Sequence, residues 1–232
     1  MPRISQDRAL GRVSTARQIE RQRAILVAAA RIGARHGLER VQMSEVAQSA
    51  GVALGTLYRY YPSKHHLFAA VLDDAVRELP SVATVPEDPI TGAADFLRRT
   101  VGELLRNPLL ARAMLLSVNA IRAQDGSAAQ DPSGKSSGTV APEADQIMPA
   151  RILAAAGIVA PSAEDHRLAR LLEQCVYGIL TWTVAGRLDV GQAVADIDRA
   201  CELLLAPWSR PAGGEQARGS AADATGFQGS PT

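Results

Sequence analysis

The chain has 232 residues, of which 47% are hydrophobic, 21% charged and only 4% aromatic, enough to fill a sizeable core and to build two small domains. That excludes a disulfide-stapled miniprotein and a wholly disordered chain. The formal charge of +1 hides an uneven split: residues 1–79 carry twelve basic and seven acidic side chains, net +5, leaving thirteen and seventeen, net −4, for residues 80–232. A polyanion-binding front joined to a back half without that preference is expected.

Apolar positions recur at helical spacing and no run alternates as a strand would, so the predicted fold is all-α. Residues 1–16 include Arg3, Arg8 and Arg12 but no apolar segment. They read as a flexible basic arm for DNA phosphates or the minor groove, or equally as a solubilising extension. The first helix is predicted over 17–36, with Ile25, Ala28, Ala29 and Ile32 as one stripe and Gly37 as its stop. Ser44 is a candidate N-cap for a second, short helix that Gly51 ends. A third covers 54–61. Pro62 closes it, and Ser63 caps a fourth with Leu67, Val71, Leu72, Val76 and Leu79 on one side. The front domain is thus 17–79.

Pro80, Pro86, Pro89 and Gly92 mark 80–92 as a linker. A second domain, 90–206, should hold helices at 95–106, 108–123, 143–156, 162–187 and 190–205, with Pro108 in a first turn and a capping-box pattern at Ser162 to Asp165. Residues 124–139 have no periodic apolar positions and read as a loop. The tail, 207–232, reads as disordered.

Residues 44–61 therefore form a helix, a glycine turn and a helix, the arrangement that lays one narrow helix in the major groove. Leu57 and Tyr61 face inward with Val46 and Ala50. Leu54, Gly55, Thr56, Tyr58, Arg59 and Tyr60 face outward. Gly55 and Thr56 let the backbone approach a phosphate, Tyr58 and Tyr60 offer hydroxyls, and Arg59 can engage guanine with two donors. Lys64, at the next helix start, suits a phosphate.

The stretch VQMSEVAQSAGVALGTLYRYYPSKHHLFAAVL resembles the DNA-binding domain of the TetR family of bacterial regulators. Its signature is Gly51-Val52, Gly55-Thr56-Leu57-Tyr58, Tyr60, an aromatic residue at 61 and Lys64. The resemblance implies operator contacts from Ser44, Leu54, Gly55, Thr56, Tyr58, Arg59, Tyr60 and Lys64. Ala53 departs from the Ser or Thr common in the family and cannot cap the recognition helix, a loss of ~1 kcal/mol. Fainter similarity continues through Arg106-Asn107-Pro108-Leu109-Leu110, Ala113-Met114 and Trp182 to actinobacterial repressors of sterol catabolism within that family. It implies a bulky apolar effector such as a steroid or its coenzyme A thioester.

In the second domain, Leu104, Met114, Val118, Ile152, Tyr177 and Trp182 are candidate walls of an effector pocket, or else ordinary core. The last helix pair could form a four-helix dimer interface through Leu168, Leu171, Leu172, Cys175, Ile179, Leu203 and Leu204, or pack these leucines within one subunit.

Other chemistry is sparse. Cys175 and Cys201 have no Cys-x-x-Cys partner, and His36, His65, His66 and His166 are scattered, so neither metal nor cofactor is expected. His65 and His66 suit a solvated or phosphate-facing place. Glu164-Asp165-His166 occupies a first helical turn, where acids favour the dipole. No nucleophile elbow, phosphate loop or dinucleotide fingerprint occurs, and no segment reads as a leader or membrane span. The reading is a cytoplasmic, non-enzymatic, homodimeric transcriptional repressor that binds operator DNA and is released by a bulky apolar effector. The alternatives are a helical ligand-binding or enzymatic bundle with the front as scaffold, and a regulator that needs no ligand.

Overall fold

A computed structural model describes the backbone of residues 4–80, 86–128 and 147–209, and the side chains of 17–80, 86–124 and 147–209. Every regular element among them is helical. The first helix, α1, spans Ile4–Arg40 and departs from helical geometry at Gly37, which takes φ 69° and ψ 170°. Gly37 therefore interrupts the helix where expected, but a last turn continues to Arg40. The N-terminal end is earlier than predicted, with helix from Ile4 where an arm was expected over 1–16. Apolar periodicity begins only near Ile25, whereas helix continues backward because no proline stops it.

Helix α2 spans Met43–Ser49, with Gln42 at the cap position and no side-chain cap bond. Ser44 thus lies inside the helix instead of capping it, because burial of Met43 brings that residue into the first turn. The exit is as expected. Gly51 takes φ 67°, and the Gly51 and Val52 amides donate back to the carbonyls of Gln48 and Ala47 at 3.2 and 3.0 Å, a Schellman closure that needs the left-handed conformation. Helix α3 is Leu54–Tyr60, its N-cap Ala53 making no side-chain bond. Ser63 does cap α4, Lys64–Glu78, its hydroxyl accepting from the His66 amide at 3.3 Å.

The end of the expected linker, from Pro89 to Gly92, is helix. Helix α5, Pro89–Leu105, starts inside it: Asp88 accepts from the Thr91 amide at 2.8 Å and Pro89 occupies the first turn. Gly92 is there for close packing. A Cβ on it would lie 2.4 Å from the Ala155 carbonyl oxygen. Helix α6, Pro108–Ala128, opens with the Asn107 side chain accepting from the Leu110 amide at 3.1 Å and runs into the segment read as a loop. Residues 129–146, 81–85 and 210–232, on which the rest of that loop, part of the linker and most of the tail fall, lie outside the described residues.

Helix α7 is Ile147–Ala155, α8 Ala163–Val184 and α9 Val190–Leu204. The Ser162–Asp165 capping box forms as predicted, and Asp189 with Gln192 makes a second at α9. A 3-10 turn, Ala206–Ser209, follows. The tail is therefore anchored at its start, where the Trp208 indole N–H donates to Asp165 at 2.8 Å.

Two cores result. Ile25, Ile32, Val46, Leu57, Leu67 and Phe68 form one around α1–α4. Leu97, Ile152, Leu172 and Ile197 belong to the other, around α5 and α7–α9. Helix α6 belongs to both, giving Ala113 and Met114 to the first and Leu115 to the second. Leu72 and Leu104 touch both, so apolar packing is continuous across the domain boundary.

Candidate nucleic-acid interface

The presentation of α3 follows from its two sides. Leu57 is fully buried and Tyr61 nearly so, in the same core as Val46. Burial, with the Asp74 carboxylate nearby, pushes the Tyr61 phenol up to about 12, so it stays a neutral core group. On the other side Leu54 is 41% and Tyr58 46% exposed, Gly55 and Arg59 are exposed, and Thr56 and Tyr60 are half-buried. An added Cβ on Gly55 would meet nothing within 4 Å. Packing within the protein therefore does not require glycine there, although glycine in a helix costs about 0.5–1 kcal/mol relative to alanine. The Arg59 guanidinium carbon lies 5.8 Å from the Tyr60 ring centre, which steadies a long side chain at the surface.

Ser44 is exposed on α2. Lys64 is half-buried, and its Nζ donates to the Leu38 carbonyl at 3.2 Å. That carbonyl belongs to the end of α1 just past the Gly37 break, so Lys64 has a structural partner that its place in sequence did not reveal. The neighbouring histidines are not simply solvated. His66 Nδ1 lies 2.9 Å from the Ser63 hydroxyl inside the cap, and His65 Nδ1 lies 3.4 Å from Ser117 of α6. Two further links hold the unit together: Arg31 donates to Ser49 of α2, and Arg23 pairs with Glu78 of α4 at 2.7 Å.

In the second domain the candidate pocket residues separate. Ile152 is fully buried in the back core, Met114 is buried in the front core, and Leu104, Val118 and Tyr177 are half-buried. Trp182 departs from the set: at 61% exposed it lies on the outer surface of α8, because its position in the helical repeat is that of Leu171 and Cys175 and not that of Leu172. The candidate dimer residues divide in the same way. Leu168 and Leu172 are buried inside the protomer, Leu171 is 42% and Leu203 61% exposed, and Cys175, Ile179 and Leu204 are intermediate. Among the described residues no group of three or more His, Cys, Asp or Glu is placed to hold a metal, and no helix is long and apolar enough to cross a membrane.

Residues 25–71 match the model of bacterial regulatory proteins of the tetR family, and residues 87–204 match that of the tetracyclin repressor-like C-terminal domain. The chain belongs to the TetR family. It is a TetR-type helix-turn-helix regulator with a helical C-terminal domain. It is 32% identical to the HTH-type transcriptional repressor KstR of Mycobacterium tuberculosis, over 81% of this chain and 82% of that protein. For KstR of Rhodococcus jostii the identity is 30%, over 85% and 89%. Among solved structures, a TetR transcriptional regulator from Rhodococcus sp. RHA1 is 38% identical, with a TM-score of 0.71 over 83% of this chain and 99% of that one. Thermus thermophilus FadR in complex with lauroyl-CoA shares the fold at 20% identity and a TM-score of 0.51, over 79% and 93%.

Within this TetR fold, the long-range polar contacts were not visible in the sequence. Arg151 reaches carbonyls more than seventy residues away, and Tyr177 bonds a backbone oxygen of α6. Their acceptors are main-chain atoms, which any residue supplies, so no pattern of residue types marks them.

Proposed function

We propose that the protein is a cytoplasmic homodimeric repressor that reads a twofold-symmetric operator with α3 and leaves it when a bulky apolar molecule binds the second domain. The outer face of α3 carries the proposal: a glycine that the protein's own packing does not need stands beside Tyr58 and Arg59, on a helix locked from behind by Leu57. A backbone brought that close to a partner suits phosphate contact, while Arg59 has the donors to read guanine. Ser44, Leu54, Thr56, Tyr60 and Lys64 complete the contact set.

Leu171, Trp182 and Leu203, with Cys175, Ile179 and Leu204 at their edges, leave an apolar outer face on the last two long helices. A second copy covering that face would present two recognition helices about one DNA turn apart. The repressor names of the relatives support the sign of regulation. An apolar effector agrees with the half-buried Leu104, Val118 and Tyr177, of which Leu104 packs against both cores. DNA and effector would favour different separations of the two α3 helices, and by linkage each would weaken the other.

The test is a mobility shift and footprint on the DNA upstream of the protein's own gene. A salt-sensitive, twofold-symmetric footprint is expected, and its absence removes the reading. Arg59→Ala should relax base preference at one position by about 1–3 kcal/mol, whereas Lys64→Ala should weaken all sequences alike and flatten the salt slope.

A further inference from the structure

Helix α4 reaches from the DNA-binding unit to the second domain, and its two ends are held by different partners. At its start, Ser63 caps the helix and Lys64 bonds the end of α1. At its far end the chain leaves through Leu79 in an extended conformation, so the last carbonyls lose their helical partners. Arg151 of α7 supplies replacements. Its Nη1 donates to the Arg77 carbonyl at 3.4 Å, and its Nη2 donates to Pro80 at 3.2 Å and also to Leu79. The guanidinium carbon stands 5.8 Å from the ring centre of Phe96, a buried residue of α5. A cation at a helix C-terminus also complements the dipole. Helix α7 is in turn pressed against α5, since the Ala155 carbonyl sits where Gly92 has no side chain.

We infer that Arg151 is a positioning residue that sets the tilt of α4, and with it the separation of the two recognition helices. The inference rests on the dimeric DNA-binding reading above. The planar fork is essential to it, because one guanidinium serves three carbonyls and stacks on an aromatic ring, which a lysine ammonium cannot do in the same place. Any ligand that displaces α7 or α5 pulls on the end of α4 through this side chain. Without it, α4 keeps its packing against α1, α6 and α7 but loses its polar tie to α7.

The experiment uses the full-length protein and an operator that the wild type selects from random-sequence DNA. Operators are then made with the half-site separation changed by one or two base pairs in either direction. The wild type should lose roughly tenfold or more in affinity on misspaced operators, whereas Arg151→Ala should lose about threefold or less, with Arg151→Lys between them. The salt slope on the selected operator should stay unchanged, since no phosphate contact is removed. If Arg151→Ala fails to fold, Arg151→Gln keeps the stem and makes the same comparison. A spacing profile as steep as wild type in the folded variant overturns the role of Arg151 alone. Failure of the wild type to select any twofold-symmetric sequence overturns the DNA-binding reading and this inference together.

Discussion

The Tyr177 hydroxyl donates to the Leu115 carbonyl at 2.8 Å, so α8 is tied to the middle of α6 by a polar bond beside an apolar core. Burial pushes the phenol upward, partly opposed by Arg122, whose guanidinium carbon lies 5.2 Å from the ring centre. The hydroxyl therefore remains a donor at neutral pH. Tyr177→Phe keeps the ring and removes the bond. Stability should fall by about 0.5–1.5 kcal/mol in urea denaturation at fixed protein concentration.

Gly92→Ala should be more damaging. The new methyl would lie 2.4 Å from the Ala155 oxygen and 2.6 Å from the Pro86 ring, and neither a helix backbone nor a proline can swing aside. Separating α5 from α7 should lower stability by about 1–3 kcal/mol, read as a lower thermal midpoint with the helical signal retained below it.

Gly55→Ala gives the opposite pairing of effects. Nothing inside the protein blocks the methyl, so stability should rise by about 0.5–1 kcal/mol. Operator affinity should fall, since the methyl would stand between the helix backbone and DNA. Calorimetry and a binding titration on one preparation check both. Unchanged affinity would place the DNA contact elsewhere.

The outer face of α8 and α9 separates from the inner one by mutation. Trp182→Ala should weaken self-association by about 2 kcal/mol or more, seen in sedimentation equilibrium, with protomer helicity intact. Leu172→Ala, which opens a cavity in the core, should instead lower stability by about 2–5 kcal/mol.

His65, which meets Ser117 of α6 at 3.4 Å, should make the contact between α4 and α6 pH-sensitive. Burial chiefly, and then the charges of Lys64 and His66, hold its pKa below 6.5. Because protonation is disfavoured in the folded state, the associated stability is fully present above 6.5 and is lost as pH falls through the lower folded value. The urea midpoint should drop between about pH 8 and pH 5.5, and drop less in His65→Gln.

Local signals carried the turns and caps of both domains. Gly51, Ser63 and the box at Ser162 act within a few residues of themselves, and each formed as read. So did the division of α3 into an inner side with Leu57 and an outer side with Tyr58 and Arg59. Pro89 and Gly92 misled because one residue type serves opposite ends: the same pair that marks a flexible connection also starts a helix and admits a neighbouring backbone. Ser44 misled for a related reason, since a good capping residue does not cap once burial of the residue before it moves the helix start.

The amino-acid order determined the all-α class, the helix-turn-helix and the side of α3 that faces out, because a 3.6-residue repeat and a glycine turn are settled by neighbours in the chain. Tertiary structure decided which apolar positions had covers: Leu172 and Leu171 are adjacent and chemically identical, yet one is sealed and the other is open. It also decided that Lys64 and Arg151 would hold the two ends of α4. Periodicity reveals that a helix has an apolar side, but what lies against that side, and which distant carbonyl a cation meets, depends on how the helices pack.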